Sequence, residues 1–126
     1  MWGALPLFLA DSAAINVSDL AIATSWYKEK LALQLAKTKR EDDSGLPFVD
    51  LHYPQADTCL TLVEDSSRNA ATDSHPILFT KNLKKAHDWL INRGVAVEAM
   101  TSDSGGNQLF YFQDLDENRI EVCVEP

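Results

Sequence analysis

Ala13-Ala14-Ile15-Asn16-Val17-Ser18-Asp19-Leu20 is matched in pattern, 63 residues further on, by Pro76-Ile77-Leu78-Phe79-Thr80-Lys81-Asn82-Leu83. Each run is apolar and strand-like, then closes on a polar residue, an Asp or Asn, and a Leu. At the same spacing Ala23 meets Ala86 and Trp26 meets Trp89, in a chain that holds three tryptophans. Aligned tryptophans at a shared offset, with otherwise thin identity, point to a structural repeat.

Each half follows one plan. Asp19 caps a helix predicted over 20–31, whose Leu20, Ala23, Trp26, Tyr27 and Leu31 share one face at the spacing that packs on a sheet. Asn82 caps a second over 83–92, with Leu83, Ala86, Trp89 and Leu90 as its stripe and Gly94 as its stop. Both tryptophans read as core. Three strands are predicted after each helix, over 34–39, 48–53 and 58–63, then over 95–100, 108–113 and 119–124. Turn residues such as Glu41-Asp42-Asp43-Ser44-Gly45 and Ser102-Asp103-Ser104-Gly105-Gly106-Asn107 separate them. The expectation is one α+β domain over 1–126, with a first strand–helix–three-strand module at about 7–64, a polar linker at 65–74 and a second module at 75–126.

Composition narrows the function. The 126 residues are 45% hydrophobic and 24% charged, with net charge −8 and a pI near 4.7. Such a field repels phosphate backbones and anionic lipid, so neither nucleic acid nor a membrane is expected as partner. Cys59 and Cys123 form no CxxC and read as small buried side chains. The apolar start is short, broken by Pro6 and preceded by no positive charge, so no signal peptide is expected and the location reads as cytoplasmic.

The run Val17-Ser18-Asp19-Leu20 followed by Ser25-Trp26-Tyr27-Lys28-Glu29-Lys30-Leu31 resembles the first half of vicinal-oxygen-chelate proteins. These include glyoxalase I, bleomycin-resistance proteins, extradiol dioxygenases and fosfomycin-resistance thiol transferases. In the second half, Asn82-Leu83, Arg93-Gly94-Val95 and Phe112-Gln113-Asp114-Leu115-Asp116-Glu117-Asn118-Arg119-Ile120-Glu121-Val122 are similar to the family's closing turn and strand. Leu115 stands where the family usually has Pro, and Glu117 where it has Gly. The resemblance covers nearly the whole chain from Asp11 on. It implies paired βαβββ modules curling into an open mixed sheet around a cup, a small-molecule substrate or ligand, and a homodimer.

The resemblance also implies where a divalent metal (Zn, Ni, Mn or Fe) would sit: on the first and last strands of each module. His75 and Glu121 fit that pattern. Ser12 and Thr61 replace the other two expected ligands, and two strong ligands are too few to hold a divalent ion well. By strand alternation Asp50 and His52 share a face, either lining the cup as ligand-orienting or proton-shuttling groups or lying on a hydrated outer face. Arg119 and Cys123 share the side of Glu121. Arg119 either clamps an anionic ligand or pairs with Glu121. Phe110 and Phe112, or Tyr111 on the opposite face, are candidates for stacking on a planar ligand. His87, beside Lys84-Lys85, is expected to face solvent, and the loop at 102–107 is a lid or an ordinary turn. Three functions stand: a metal-dependent lyase or transferase of the glyoxalase type; a metal-free, drug-sequestering binding protein; and a metal-free enzyme using Glu121, His75 or His52 as acid or base.

Overall fold

The computed structural model describes residues 8–35, 40–41, 47–53, 58–65 and 76–125. The first half runs β1 (Ala13–Val17), α1 (Leu20–Leu31), β2 (Gln34–Leu35), β3 (Arg40–Glu41), β4 (Pro47–His52) and β5 (Cys59–Glu64). The second runs β6 (Ile77–Thr80), α2 (Leu83–Asn92), β7 (Ala96–Val97), β8 (Thr101–Ser102), β9 (Gln108–Gln113) and β10 (Arg119–Val124). Sheet 1 has the order β1-β5-β4-β2 with β3 also on β4, and sheet 2 repeats it as β6-β10-β9-β7 with β8 also on β9. In both, the first strand lies parallel to the last and the remaining pairs are antiparallel. The sheets are open, and the fold is α+β, as the repeat predicts.

The helices begin and end where their caps dictate. Asp19 accepts from the Ile22 amide and Asn82 from the Lys85 amide, each at 3.0 Å, satisfying first-turn N–H groups that have no partner within the helix. The Glu64 carboxylate accepts from the Leu20 amide at 2.8 Å, tying the start of α1 to the end of β5. Gly94, at φ +78°, turns the chain out of α2 while its amide reaches the Ile91 carbonyl at 3.0 Å.

The first strand predicted after the second helix needs correction. The segment expected to form one strand over 95–100 forms only β7, and β8 follows separately. The Glu98 amide still reaches the Tyr111 carbonyl at 2.8 Å, but its own carbonyl is taken by His87 Nε2 at 3.1 Å, so the ladder breaks there. His87 is likewise half-buried, edge-on to Phe110 with ring centroids 4.8 Å apart, rather than solvent-facing.

Strand alternation gives each sheet one face under its helix and one open face. Leu60, Leu62, Val49 and Leu51 in sheet 1, and Ile120, Val122, Phe110 and Phe112 in sheet 2, are buried on the helix side. One buried cluster runs from Phe8 to Val122 and draws on both halves. Trp26 stacks on Phe112 with centroids 6.4 Å apart, and Trp89 Nε1 donates to the Lys30 carbonyl at 2.9 Å. Leu9 pairs with Phe79 along the outer edge of β6.

A polar seam completes the join. Asp114, 6% exposed, accepts from the Tyr27 hydroxyl at 2.5 Å, from Asn118 Nδ2 at 2.9 Å, and from the Asp116 and Asn118 amides at 2.8 Å each. Asn118 Nδ2 also donates to the Asn16 carbonyl at 2.9 Å, and the Ser18 hydroxyl donates to Asp116 at 2.6 Å. Burial and then the Asp114 carboxylate push the Tyr27 phenol well above its usual range. Glu117, standing where a glycine is usual in the resembled motif, takes φ +64°.

Removing the Asp114 carboxylate leaves a buried hydroxyl, a carboxamide and two amides short of an acceptor. Asp114→Ala is expected to lower stability in urea by about 3 kcal/mol or more. Glu117→Gly relieves the left-handed strain at the cost of some unfolded-chain entropy, and is expected to raise stability by about 0.5–1 kcal/mol.

Candidate functional site

The open face of sheet 2 is built by three strands in register. Glu121 on β10 stands between Tyr111 on β9 and Ile77 on β6, and Cys123 between Leu109 and Phe79. Arg119 opens the row opposite Gln113. The Glu121 carboxylate is half-buried and receives the Cys123 thiol at 2.9 Å and a hydrogen bond from the Tyr111 hydroxyl. Partial desolvation, then the charge and hydrogen bond of Glu121, raise the Tyr111 phenol above its usual value. Burial, then the same carboxylate, push the Cys123 thiol up to about 12. The result is an ionisable carboxylate flanked by a neutral phenol and a neutral thiol, a hydrogen-bonding row aimed out of the sheet.

Arg119 does not reach into that row. Its guanidinium forks onto Glu98 at 2.9 and 2.8 Å and lies 3.7 Å from the centre of the Tyr111 ring. The pairing with Glu121 considered from the sequence is replaced by one with Glu98, whose carboxyl is held below its usual range by that bond. Arg119 thus braces the Tyr111 ring from one side. Phe112 is fully buried on the helix side beneath Trp26, so of the aromatic candidates on β9 it is Tyr111 that shares the open face.

The open face of sheet 1 carries the other candidates. Thr61, third in β5 as Glu121 is third in β10, donates its hydroxyl to Asp50 at 2.6 Å. His52 lies two residues from Asp50 on the same face, opposite Cys59, with Nδ1 at 3.2 Å from the Tyr53 carbonyl. The Ser12 hydroxyl accepts from the Cys59 amide at 3.1 Å. Asp50, His52 and Thr61 are therefore gathered on one face, while Glu121 stands on the other sheet. His75 lies outside the described residues.

The described part of this donor set, Ser12, Thr61 and Glu121, does not fit a resident divalent metal. Ser12 and Thr61 offer weak hydroxyl oxygens, and both are already engaged inside the sheet. Among the described residues no group of three or more His, Cys, Asp and Glu side chains is placed to hold an ion. No described helix is long and apolar enough to cross a membrane. The sequence pointed to Glu121, but the two residues that hold its carboxylate emerge from register: Tyr111 directly across the ladder, and Cys123 two residues along.

The thiol offers a direct check. In a Cys59→Ser background, alkylation of Cys123 by iodoacetamide is expected to be slow at pH 8 and to keep rising past pH 10, because the thiolate forms only near pH 12. Glu121→Gln, by removing the facing charge, is expected to speed the reaction at pH 8 about tenfold. An inflection near the ordinary thiol value of about 8.5 would contradict this arrangement.

Comparison with known proteins places the fold. A search of curated proteins finds no match. An antibiotic-binding protein from Streptomyces sp. CB03234 superposes with a TM-score of 0.75 at 22% identity, covering 94% of this chain and 96% of that one. A glyoxalase/bleomycin resistance protein/dioxygenase superfamily member from Sphaerobacter thermophilus gives 0.74 at 24% identity, covering 93% and 97%. A fosfomycin resistance protein from Listeria monocytogenes, solved with Mn(II) and a dihydroxypropylphosphonic acid, gives 0.69 at 14% identity, covering 92% and 91%. At such identities the likeness shows the fold. The profile of the Glyoxalase/Bleomycin resistance protein/Dioxygenase superfamily matches residues 9–122, and the chain belongs to that superfamily.

Proposed function

We propose that this chain binds a small polar organic molecule on the open face of sheet 2, with Glu121 as the principal anchor and without a resident divalent metal. The observation that carries the reading is the state of Glu121. Its carboxylate is already oriented by the Tyr111 hydroxyl and the Cys123 thiol, while the equivalent position in sheet 1 is a threonine bonded to Asp50. A carboxylate fixed this way accepts hydrogen bonds from a ligand with little reorganisation. Binding of an antibiotic by a protein of the same fold, and of a phosphonic acid by another, supports a small-molecule role. The metal-dependent lyase or transferase reading needs Ser12 and Thr61 to give up their present bonds. Asp50 and His52 are secondary candidates for ligand contact or proton transfer.

The cup is closed, in this reading, by a second copy of the chain. The helices meet each other through Trp89, Lys30 and Arg93 on their own side of the sheets. Each sheet therefore presents the face opposite its helix without a covering layer from the described residues. Two unbridged cysteines suit a reducing, cytoplasmic setting. Sedimentation is expected to give about twice the 14.0 kDa chain mass; a 14.0 kDa species at all concentrations would contradict the pairing.

Amide NMR of chelator-treated protein against a library of small polar organics tests the binding role. At least one compound is expected to shift the amides of Tyr111, Glu121 and Cys123. Its affinity should fall about tenfold or more in Glu121→Ala, a loss of about 1.4 kcal/mol, with the melting temperature little changed. Binding that appears only after a metal is restored would overturn the reading.

A further inference from the structure

Beyond Cys123, at the end of β10 away from Glu121, sheet 2 drops into a cavity of about 310 Å³, at the small end of the range for organic ligands. Its wall includes Phe79, Asp103, Asn107, Gln108, Cys123 and Glu125. These residues bring two carboxylates, two carboxamides, one aromatic ring and a thiol, and among the described residues no Lys, Arg or His lines the cavity. Carboxylates with no opposing cation among the described residues favour a positive guest, and an aromatic face adds to the attraction.

The acidic rim is built rather than loose. Asp103 Oδ1 accepts from the Gly105 and Asn107 amides at 2.9 Å each, and Oδ2 from Asn107 Nδ2 at 3.2 Å. These bonds hold its carboxyl below the usual range, so it stays ionised. They also fold the loop at 102–107 into a fixed turn rather than a hinged lid. Phe79 is pinned on the other side, its amide and carbonyl both bonded to Leu9, at 2.7 and 2.9 Å. The Glu125 amide is bonded to the Thr80 carbonyl at 2.9 Å, which fixes where its side chain leaves the sheet.

We propose that this cavity seats the cationic group of an organic ligand, an ammonium or quaternary ammonium between Asp103 and Glu125, with its apolar body against Phe79. The inference rests on the reading of this open face as a ligand surface, since Cys123 lines the cavity and touches Glu121, and it names the ligand class. The same charges disfavour phosphonates and other anions at this end of the face.

The test is an amide NMR titration with benzyltrimethylammonium, with benzyl alcohol as the neutral control. The cation is expected to bind in the millimolar range, to shift the amides of Gly105, Asn107, Gln108 and Val124, and to weaken as salt is raised. Asp103→Asn combined with Glu125→Gln should weaken it at least fivefold, while the neutral alcohol binds more weakly to both proteins. Equal binding of alcohol and cation, or shifts elsewhere on the chain, would overturn the proposal. Should the double variant lose its fold, the salt dependence and the neutral control decide. Failure here with retained Glu121-dependent binding of another compound removes only the cationic assignment. Loss of every Glu121 effect removes the underlying reading instead.

Discussion

The buried carboxylate of Asp114 is the contact on which the rest of the arrangement depends. It sits in the turn that launches β10, yet its shortest hydrogen bond comes from the Tyr27 hydroxyl on the helix of the other half, 87 residues away in the chain. A buried carboxylate is costly unless its oxygens are satisfied, and here four donors satisfy them. The turn therefore has one low-energy shape and one place to dock. Asn118 and Asp116 extend the same seam to Asn16 and Ser18 at the end of β1. Since β10 begins at Arg119, immediately after this seam, the position of Glu121 on the open face is set by a contact on the far side of the sheet.

That division of labour explains how a chain this short carries both a core and open polar sheet faces. The helix side of each sheet is spent on packing, with Leu60, Leu62, Phe110, Phe112, Ile120 and Val122 buried and the two tryptophans bridging the halves. The open side is then free to hold polar groups in register. Tyr111 is braced by Arg119, Arg119 by Glu98, and Glu98 through its carbonyl by His87 on α2. A chain of contacts thus links the helix to the hydroxyl that orients Glu121. The neutral thiol of Cys123 separates that carboxylate from the acidic cavity beyond it.

Much of the fold is legible in the sequence, because helix caps and hydrophobic stripes are local. Asp19 and Asn82 mark both helix starts, and strand alternation correctly assigns Glu121, Cys123 and Arg119 to one face. Contacts set by register are not local, and they are where the reading fails. Arg119 pairs with Glu98 across 21 residues rather than with its neighbour on the strand. His87 is drawn inward by the carbonyl of Glu98, which in turn interrupts the strand expected there. Phe112 follows the parity of the core, and only its opposite-parity neighbour Tyr111 reaches the site. The departure at Glu117 from the usual glycine is visible in the sequence, and its left-handed backbone is one that glycine adopts more readily.

We propose that Glu121 serves as a hydrogen-bonding anchor rather than a metal ligand, because its sheet-1 counterpart Thr61, and Ser12 at the position matching His75, are hydroxyls already engaged in hydrogen bonds. The most direct test is an anomalous-difference map from crystals soaked in Mn²⁺. No manganese peak is expected within bonding distance of Glu121, with its carboxylate still held by Tyr111 and Cys123. A peak ligated by Glu121 together with His75 or Thr61 would contradict it.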